Sequence, residues 1–390
     1  MARITGTYKR TTVAGEEVAA FVPGALPPAD PPLALDARST SLLHDAEYQL
    51  NRLDLAGEMI PSLEWFLYAF VRKEAVISSQ IEGTQASLVD LLTHEAGVRS
   101  EAALETDVQE VCNHLDALTY ARKQIGQKGG LPLSIRLLNQ THRRLMKGVR
   151  GAEKQPGELR RSQNWIGGTR PGNAAYVPPP AQALPQLLGA LERYIHDSDS
   201  LPPLVRTGLI HAHFESIHPY LDGNGRIGRL LITLLLEHWQ LLSTPLLYLS
   251  LFFKRHRGEY YRLLNAIRTD GDWEAWTAFF LEGVATTAEE ALQAAADLFR
   301  LLRRDGKRLL ASAGVSVSTL RLFDQLPRHP IVTLASAVKL LGTTKPTAAS
   351  AIAALEKLHI LEETTGRQRD RVFTYAAYLK RLRVGTDLGE

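Results

Sequence analysis

The feature that most constrains the fold of this chain is the spacing of its apolar residues. Two early stretches, 41–57 and 62–83, place apolar side chains at three- and four-residue steps, which is the spacing of one face of an α-helix. The same spacing returns repeatedly along the rest of the 390 residues. Further helices are predicted at 105–125, 132–147, 184–197, 204–217, 226–240, 257–269 and 273–304. The sequence therefore predicts a predominantly α-helical protein.

Two segments lack this helical spacing. Up to about residue 40 the chain is rich in Pro, Ala and Gly, which predicts an extended arm that wraps around the rest. Residues 157–180 combine Gly, Pro and Asn with short apolar pieces around Trp165 and Tyr176. That mixture is typical of a hairpin-like flap.

The composition is that of a globular protein in a reducing compartment. The hydrophobic fraction is 45% and the formal net charge is +3, so the totals neither require nor exclude an acidic partner. The single cysteine, Cys112, excludes an intramolecular disulfide framework. The apolar stretch 230–253 looks like a membrane span, but Glu237 lies inside it and Pro245 interrupts it, so we predict two buried helices. No targeting segment is visible, no membrane association is expected, and the expected location is the cytoplasm.

The last eighty or so residues form a separate unit, after a change in texture at 303–308. A helix, a short strand, two helices and two strands around a Gly-containing turn follow one another, which is the pattern of a winged helix. The side chains that could contact DNA are Lys345, Thr347, Ser350, Arg367, Arg369 and Arg371. The candidate recognition helix lacks the Arg and Asn side chains that usually read bases, so protein docking is favoured while DNA binding stays open.

The loop Leu-Asp-Gly-Asn-Gly between two predicted helices carries the most specific chemistry. Gly223, Asn224 and Gly225 allow backbone N–H groups to point one way and form an anion nest. The positive end of the following helix adds to that field. Arg226 and Arg229 are three residues apart on that helix, so both can hold phosphate oxygens.

Two more residues of this segment complete a reactive set. Asp222 offers a hard oxygen ligand for Mg²⁺, which prefers carboxylates together with substrate phosphates. His218, at the entrance of the loop, can accept a proton near neutral pH. With the nest and the two arginines, these groups suit in-line phosphoryl or nucleotidyl transfer.

Three other motifs compete for the same residues. The letters Gly-x-Gly-x-x-Gly that end at Gly228 match a dinucleotide fingerprint, but no strand precedes them. A calcium loop would need an oxygen ligand and a glycine where Arg226 and Ile227 stand. A zinc site would need His211 and His213, which point to different sides of a helix. Both histidines are therefore expected to be structural.

The whole string 218–229, His-Pro-Tyr-Leu-Asp-Gly-Asn-Gly-Arg-Ile-Gly-Arg, resembles the signature of the Fic family of adenylyltransferases. The one departure is Tyr220 in place of the usual Phe, and its extra hydroxyl needs a hydrogen-bond partner but leaves the chemistry intact. The resemblance implies a Fic-type helical core that transfers AMP from Mg-ATP to a Ser, Thr or Tyr hydroxyl of a protein.

The resemblance also implies a role for each residue of the string. His218 would be the catalytic base, Asp222 would hold Mg²⁺, and Arg229 would grip the γ-phosphate. A tyrosine pair follows the core, and of the two we prefer Tyr261 over Tyr260 as the one beside the nucleoside. The implied ATP-binding residues are Gly223, Asn224, Gly225, Arg226, Ile227, Gly228, Arg229 and Tyr261.

Two flanking segments extend the resemblance. Ser78-Ser-Gln-Ile-Glu82-Gly83 resembles the inhibitory Ser/Thr-x-x-x-Glu-Gly/Asn motif of Fic proteins, which implies that Glu82 pairs with Arg229 and takes the γ-phosphate position. The alternative is an ordinary helix-end carboxylate. The segment 157–180 resembles the flap of the family, where an exposed strand edge could align the target by β-augmentation, although a purely structural hairpin stays open.

We therefore expect an N-terminal helical region with the inhibitory helix (1–115), a Fic catalytic core with a hairpin flap (116–300) and a winged-helix domain (310–390). The expected function is protein adenylyl transfer from ATP with Mg²⁺, restrained by Glu82 and its motif partner Ser78. The partner would be a protein with a hydroxyl side chain, with this chain itself as one candidate, and a homodimer stays open. The alternatives are a hydrolase that removes AMP at the same site and a DNA-binding regulator. Transfer of another nucleoside phosphate or of phosphocholine also stays open.

Overall fold

The computed structural model describes residues 3–59, 63–98 and 102–388, which form fifteen α-helices and five short strands. The N-terminal elements are β1 (Gly6–Val13), β2 (Glu16–Pro23), α1 (Ala37–Met59), α2 (Leu63–Ile81) and α3 (Leu88–Glu95). The central helices are α4 (Ala102–Gly126), α5 (Ile135–Leu145), α6 (Leu184–His196), α7 (Pro203–Ile217), α8 (Asn224–His238), α9 (Ser250–Arg255), α10 (Arg257–Thr269) and α11 (Trp273–Leu310). The C-terminal elements are α12 (Val317–Gln325), β3 (Ile331–Thr333), α13 (Leu334–Leu341), α14 (Lys345–Lys357), β4 (Glu362–Glu363), β5 (Val372–Thr374) and α15 (Ala376–Leu382). The predicted, predominantly α-helical fold class is confirmed.

Two hydrophobic cores meet at the helices α7 and α8. The larger core joins α1, α2, α9, α10 and α11 to the C-terminal elements, and the smaller one joins α4, α5 and α6. Leu209 and Ala212 of α7 pack into the larger core, whereas Ile210 and Phe214 pack into the smaller one. Because α7 is buried on both sides, the loop from α7 to α8 starts from a fixed position.

The first forty residues differ from the prediction of an extended arm. Strands β1 and β2 form an antiparallel hairpin, with Val13 opposite Glu16. The two turn residues, Ala14 and Gly15, have φ angles of 49° and 82°. Positive φ at both positions defines the hairpin turn that matches the twist of paired strands. The prediction was wrong for residues 6–23, where two runs rich in β-branched residues around Ala-Gly were the overlooked signal.

The flap predicted at 157–180 contains a short hairpin-like pairing. Ile166 and Tyr176 exchange two backbone hydrogen bonds, of 2.8 and 3.1 Å. The N–H of Phe21 in β2 donates to the carbonyl of Val177 at 2.9 Å. The N-terminal hairpin therefore covers one edge of the flap, and an added strand could pair only with another edge.

The apolar stretch 230–253 divides as predicted into two buried helices. Helix α8 ends at His238, α9 begins at Ser250, and Pro245 lies in the connection. No described helix combines the length and the apolar character that crossing a bilayer demands.

The C-terminal elements follow one another in the order predicted for this unit. Helix α12, strand β3, helices α13 and α14 and strands β4 and β5 form a unit in which β5 lies between β3 and β4, antiparallel to both. The final helix α15 was not predicted. The segment 303–308, where the sequence changes in texture, lies inside α11, which runs without interruption to Leu310.

Asp305 explains why α11 continues through that charged segment. The Asp305 side chain accepts a hydrogen bond from the Tyr375 hydroxyl at 2.7 Å, and pairs with Arg304 at 2.9 Å and Arg308 at 3.2 Å. The residue is only 1% exposed. The apparent linker is therefore a contact between α11 and the C-terminal unit.

Replacing Asp305 by alanine should lower the free energy of unfolding by about 2–4 kcal/mol, since the buried Tyr375 hydroxyl loses its acceptor and two arginines lose their partner. Urea unfolding followed by circular dichroism measures the change. Asp297→Ala is the matched control on the same helix, because Asp297 is 41% exposed in its pair with Arg300 and should cost less than about 1 kcal/mol. Equal losses for the two variants would contradict this account.

Candidate active site

The predicted base, His218, lies at the end of α7 in a left-handed backbone conformation, with φ 48° and ψ 64°. Its N–H donates to the Phe214 carbonyl at 2.9 Å, which closes the last turn of the helix. The buried Arg160 donates from Nε to the His218 carbonyl at 3.0 Å. Two hydrogen bonds therefore fix the backbone of a residue whose conformation is uncommon outside glycine.

The imidazole of His218 is neutral at pH 7. Burial, together with the charge of Arg160, lowers the pKa of His218 to about 4, although Glu82 acts in the opposite direction. Its Nδ1 is buried and has no hydrogen-bond partner among the described residues. A neutral ring is the form that can accept a proton.

The loop after His218 is shaped by Asn224 rather than by its glycines alone. The Asn224 side chain accepts from the Tyr220 N–H and donates to the Tyr220 carbonyl, both at 2.8 Å. Both polar atoms of this buried amide are therefore used inside the loop. The extra hydroxyl of Tyr220 donates to Asn139 Oδ1 at 2.8 Å, so the partner expected from the sequence is present.

His142 of α5 supports the other side of the loop. The Gly157 N–H donates to His142 Nδ1 at 2.8 Å, so the proton sits on Nε2, which donates to the Asp222 carbonyl at 3.0 Å. The ring stacks on Tyr220 with a centroid separation of 3.9 Å and an interplanar angle of 5°. Burial lowers the pKa of His142 to about 4, which keeps this arrangement neutral.

The carboxylate of Glu82 lies against the start of α8, where the sequence predicted an anion nest. A Cβ built on Gly225 would come within 2.1 Å of Glu82 Oε1, so glycine is needed for this approach. Gly223 precedes the helix with φ 75°. The N–H groups of a first helical turn have no partner within the helix and carry a partial positive charge, so they favour an anion here.

Arg229 joins the two residues of the predicted inhibitory motif. Its guanidinium donates to Glu82 Oε1 at 2.7 Å, to Ser78 Oγ at 2.9 Å and to the Ser78 carbonyl at 2.8 Å. Burial alone would raise the pKa of Glu82, but the charge and the hydrogen bond of Arg229 outweigh it and hold the pKa below its usual range. The structure therefore brings Glu82, Ser78 and Arg229 together, with Glu82 and Arg229 as an ion pair.

Arg226 is held by Glu110 of α4, a residue that the sequence analysis missed. Arg226 Nη1 lies 3.4 Å from Glu110 Oε2, which also accepts from the Thr84 hydroxyl at 2.7 Å. Glu110 is 1% exposed, and Arg150 lies 3.6 Å from its other oxygen. Position 110 carries no local motif, so only the folded chain connects it to the loop.

Asp222 presents a carboxylate at the open side of the loop. One oxygen accepts from the Gly223 N–H at 2.7 Å, and the other lies 3.0 Å from Lys154 Nζ. The side chain is 32% exposed. Among the described residues no group of three or more His, Cys, Asp or Glu side chains converges on one point. A single accessible carboxylate fits Mg²⁺, which usually takes one or two carboxylates plus substrate phosphates and water.

The remaining predicted ATP-binding residues have different surroundings. The Ile227 side chain is fully buried and its N–H donates to the Gly223 carbonyl at 3.1 Å. The Gly228 carbonyl accepts from His211 Nδ1 at 3.0 Å, inside the helix packing. Tyr261 is 45% exposed, and burial, together with the charge of Glu82, raises the pKa of its hydroxyl.

The two histidines expected to be structural are buried. His211 contacts the Gly228 carbonyl and, at 2.9 Å, the hydroxyl of Tyr260. Burial lowers the pKa of His211 to about 3 and that of His213 to about 4. Tyr260 is itself buried, whereas its neighbour Tyr261 is exposed.

Two family models match the chain. A model described as "Fic/DOC family N-terminal" matches residues 40–123, and one described as "Fic/DOC family" matches residues 132–236. The second match contains the whole loop with His218, Asp222 and Arg229, and the first contains Glu82. These two regions of the chain are therefore similar to the Fic/DOC family.

Curated relatives of this chain carry the name "Protein adenylyltransferase Fic". The protein of that name from Drosophila ananassae is 30% identical over 184 residues, which is 47% of this chain and 33% of that protein. The one from Drosophila persimilis is 31% identical over 184 residues, again 47% of this chain and 33% of the relative. The chain thus spans about a third of the length of the curated relatives it matches.

Solved structures share the fold of this chain. A Fic family protein from Desulfovibrio desulfuricans superposes with a TM-score of 0.57 at 20% identity, over 88% of this chain and 97% of that chain. A fragment of Fic-1 from C. elegans superposes with a TM-score of 0.52 at 20% identity, over 66% of this chain and 73% of the other. At this identity the similarity establishes the fold.

Glu215, one turn before the loop, is a second buried carboxylate at the site. A Cβ built on Gly228 would come within 2.3 Å of Glu215 Oε1, and this oxygen has no hydrogen-bond partner among the described residues. Burial raises the pKa of Glu215 to about 7, against the opposing charge of Arg229. The pKa of Glu215 is therefore higher in the folded state than in the unfolded state, where it is near 4.5. Between these two pKa values the folded protein keeps a proton that the unfolded chain releases, so the folded state becomes less stable as the pH rises.

Glu215→Gln should therefore become more stable relative to wild type as the pH rises from 5 to 8, by up to about 3 kcal/mol. Urea unfolding at several pH values measures the difference between the two proteins. Glu289→Gln, at an exposed position of α11, removes the same charge and should show no such trend. A difference for Glu215→Gln that is constant with pH would refute the raised pKa.

Proposed function

We propose that this chain transfers AMP from ATP to a hydroxyl side chain of a protein. One observation carries the proposal: an ionised carboxylate occupies the anion nest at the start of α8, bonded to a buried arginine, beside a neutral His218. A site that attracts an anion at this point, next to a base, suits attack of a hydroxyl on a bound phosphate. The name of the curated relatives supports the same activity.

In the proposed reaction the hydroxyl oxygen of the target attacks the α-phosphorus of ATP. The bond from that phosphorus to the bridging oxygen of the β-phosphate breaks, so pyrophosphate leaves and AMP remains on the protein. His218 takes the proton of the hydroxyl, while the first-turn N–H groups of α8 and Arg226 hold phosphate oxygens. Asp222 would hold Mg²⁺ together with the phosphates, and the bound ion would neutralise part of their charge.

We further propose that Glu82 restrains this activity. Arg229 can satisfy one anion at the nest, and Glu82 already supplies it at 2.7 Å. The γ-phosphate of ATP would need the same guanidinium, so Glu82 and the triphosphate compete for one position. Because Glu82 is 32% exposed at the end of a helix, it can leave while Ser78 keeps the arginine in place.

The C-terminal segment contributes to this restraint in our proposal. Two residues before Glu82, Gln80 donates from Nε2 to the Thr386 carbonyl at 2.8 Å. Lys254 of α9 donates to Gln80 Oε1 at 3.0 Å and to the Asp387 carbonyl at 2.8 Å. These bonds tie the end of the helix that carries Glu82 to the tail that follows α15.

A hydrolase that removes AMP is the second candidate for this site. Glu82 lies close enough to His218 for its charge to raise the pKa of the imidazole, so the two groups could share an attacking water. The proposed transferase and this hydrolase use the same residues in opposite directions. Removal of Glu82 should increase the transfer of AMP by the transferase, whereas it should abolish the release of AMP by the hydrolase.

The remaining expectations stay proposals. We propose the division into 1–115, 116–300 and 310–390, with the last unit a winged helix. Fewer arginines of that unit are available to contact DNA than the sequence suggested, because Arg371 bonds to Glu356 at 3.2 Å. A cytoplasmic location and a homodimer likewise remain predictions.

Glu82→Gly should raise the incorporation of label from α-labelled ATP into protein, including the enzyme itself, by about 10- to 100-fold, the range expected for loss of one charge-assisted hydrogen bond. His218→Ala in the same background should abolish incorporation. Scintillation counting of precipitated protein measures both.

Glu95→Gly is the matched control, because Glu95 also ends a helix and pairs with an arginine, Arg72, away from the loop. It should leave incorporation unchanged. If Glu82→Gly did not exceed this control, the restraint would be refuted. If wild type released AMP from a modified protein faster than Glu82→Gly, the hydrolase would be favoured instead.

Gln80→Ala should raise self-labelling by about two- to tenfold, less than Glu82→Gly, since it removes hydrogen bonds that position the helix end but leaves the bond from Glu82 to Arg229 in place. The same counting assay measures it. Gln109→Ala removes a glutamine side chain that bonds to Asn113 on α4 and should have no effect. An unchanged rate for Gln80→Ala would show that the tail takes no part in the restraint.

A further inference from the structure

A pocket lies beside the flap, outside the proposed nucleotide site. Its volume is about 310 Å³, and it is bounded by the N-terminal hairpin, the flap and the end of α10. The rings of Tyr8, Phe21 and Tyr176 line it on the side of the hairpin and the flap. Asn265 and Arg268 line it on the side of α10. The pocket therefore combines an aromatic wall with one cationic side chain.

Arg268 is a partly buried cation without a carboxylate partner. Its guanidinium carbon lies 3.8 Å from the centroid of the Tyr176 ring, and its Nε is buried without a hydrogen-bond partner among the described residues. Within that part of the chain no carboxylate lies within 4.0 Å of it, and Glu215 acts on it only from a longer distance. Glu17, which also lines the pocket, pairs with Arg10 at 3.1 Å. A desolvated cation in this state favours an incoming anion.

The pocket is next to the place where a target hydroxyl must react. The Tyr176 hydroxyl donates to the Ser216 carbonyl at 2.5 Å, two residues before His218. The ring that Arg268 covers thus also contacts the last turn of α7. An extended segment advances about 3.3 Å per residue, so a target held at His218 passes this pocket within a few residues of its hydroxyl.

We propose that this pocket binds an acidic side chain of the protein target, with Arg268 as its counter-charge. An aspartate or glutamate near the modified hydroxyl would enter beside Tyr176 and complete the hydrogen bonds of the guanidinium. The aromatic wall would hold the methylene part of that side chain. This inference rests on the proposed function and names the class of target segment that the same site selects.

The test uses peptides with a single Ser, Thr or Tyr and with Asp, Asn or Lys placed in turn at each of the neighbouring positions. The full-length Glu82→Gly enzyme should label peptides with Asp at one fixed position about tenfold faster than those with Asn. Arg268→Gln in the same background should reduce that ratio to about one. Arg268→Glu should reverse it in favour of Lys. Because each result is a ratio between peptides, a general change in the activity of a variant cancels.

Arg262→Glu is the matched control, since Arg262 is an exposed arginine of α10 that pairs with Glu259. It should keep the preference for Asp. Self-labelling of each variant reports whether the enzyme is folded and active. The inference is overturned if Arg268→Gln keeps the preference, or if an enzyme that labels itself labels no acidic peptide. If no variant labels peptide or protein, the proposed function itself is wrong.

Discussion

The ion pair between Glu82 and Arg229 is the interaction on which the rest of the site depends. Arg229 is 2% exposed, and a guanidinium so deeply buried needs an anion close by. The same position at the start of α8 favours negative charge through its unpaired N–H groups. The fold therefore favours an anion there, so the exchange of Glu82 for a phosphate that we propose would be a change of partner rather than the opening of an empty site.

The loop is organised before any ligand arrives. Asn224 closes the turn on Tyr220, His142 fixes the Asp222 carbonyl, and Arg160 fixes the backbone of the base. Each of these side chains is buried, so the positions of the reactive groups cost little further ordering when substrate binds. Glu82, by contrast, is partly exposed at the end of its helix. A fixed loop beside an accessible carboxylate suits the restrained transfer that we propose.

How far the sequence could predict the site follows from the distance between interacting residues. His218 to Arg229 are contiguous, so their spacing alone indicated a phosphate loop, and the motif at Ser78 and Glu82 was short enough to be seen. Glu110 lies 116 residues from Arg226, and Arg268 lies 92 residues from Tyr176. Neither carries a local sequence pattern, so only the packing of the folded chain shows what they contact. The same limit explains the errors in the fold. The N-terminal hairpin turns at Ala14 and Gly15 and bonds to the flap, and Asp305 of α11 bonds to Tyr375, which lies 70 residues further along the chain.

The most direct test of the account is the affinity of nucleotides measured by titration calorimetry in the presence of Mg²⁺. If Glu82 takes the γ-phosphate position, replacing it by glycine should strengthen ATP binding by about tenfold or more and leave ADP, which lacks that phosphate, much less affected. Equal gains for ATP and ADP would place the glutamate elsewhere relative to the triphosphate. No gain for either nucleotide would contradict the central claim that Glu82 and the γ-phosphate compete for Arg229.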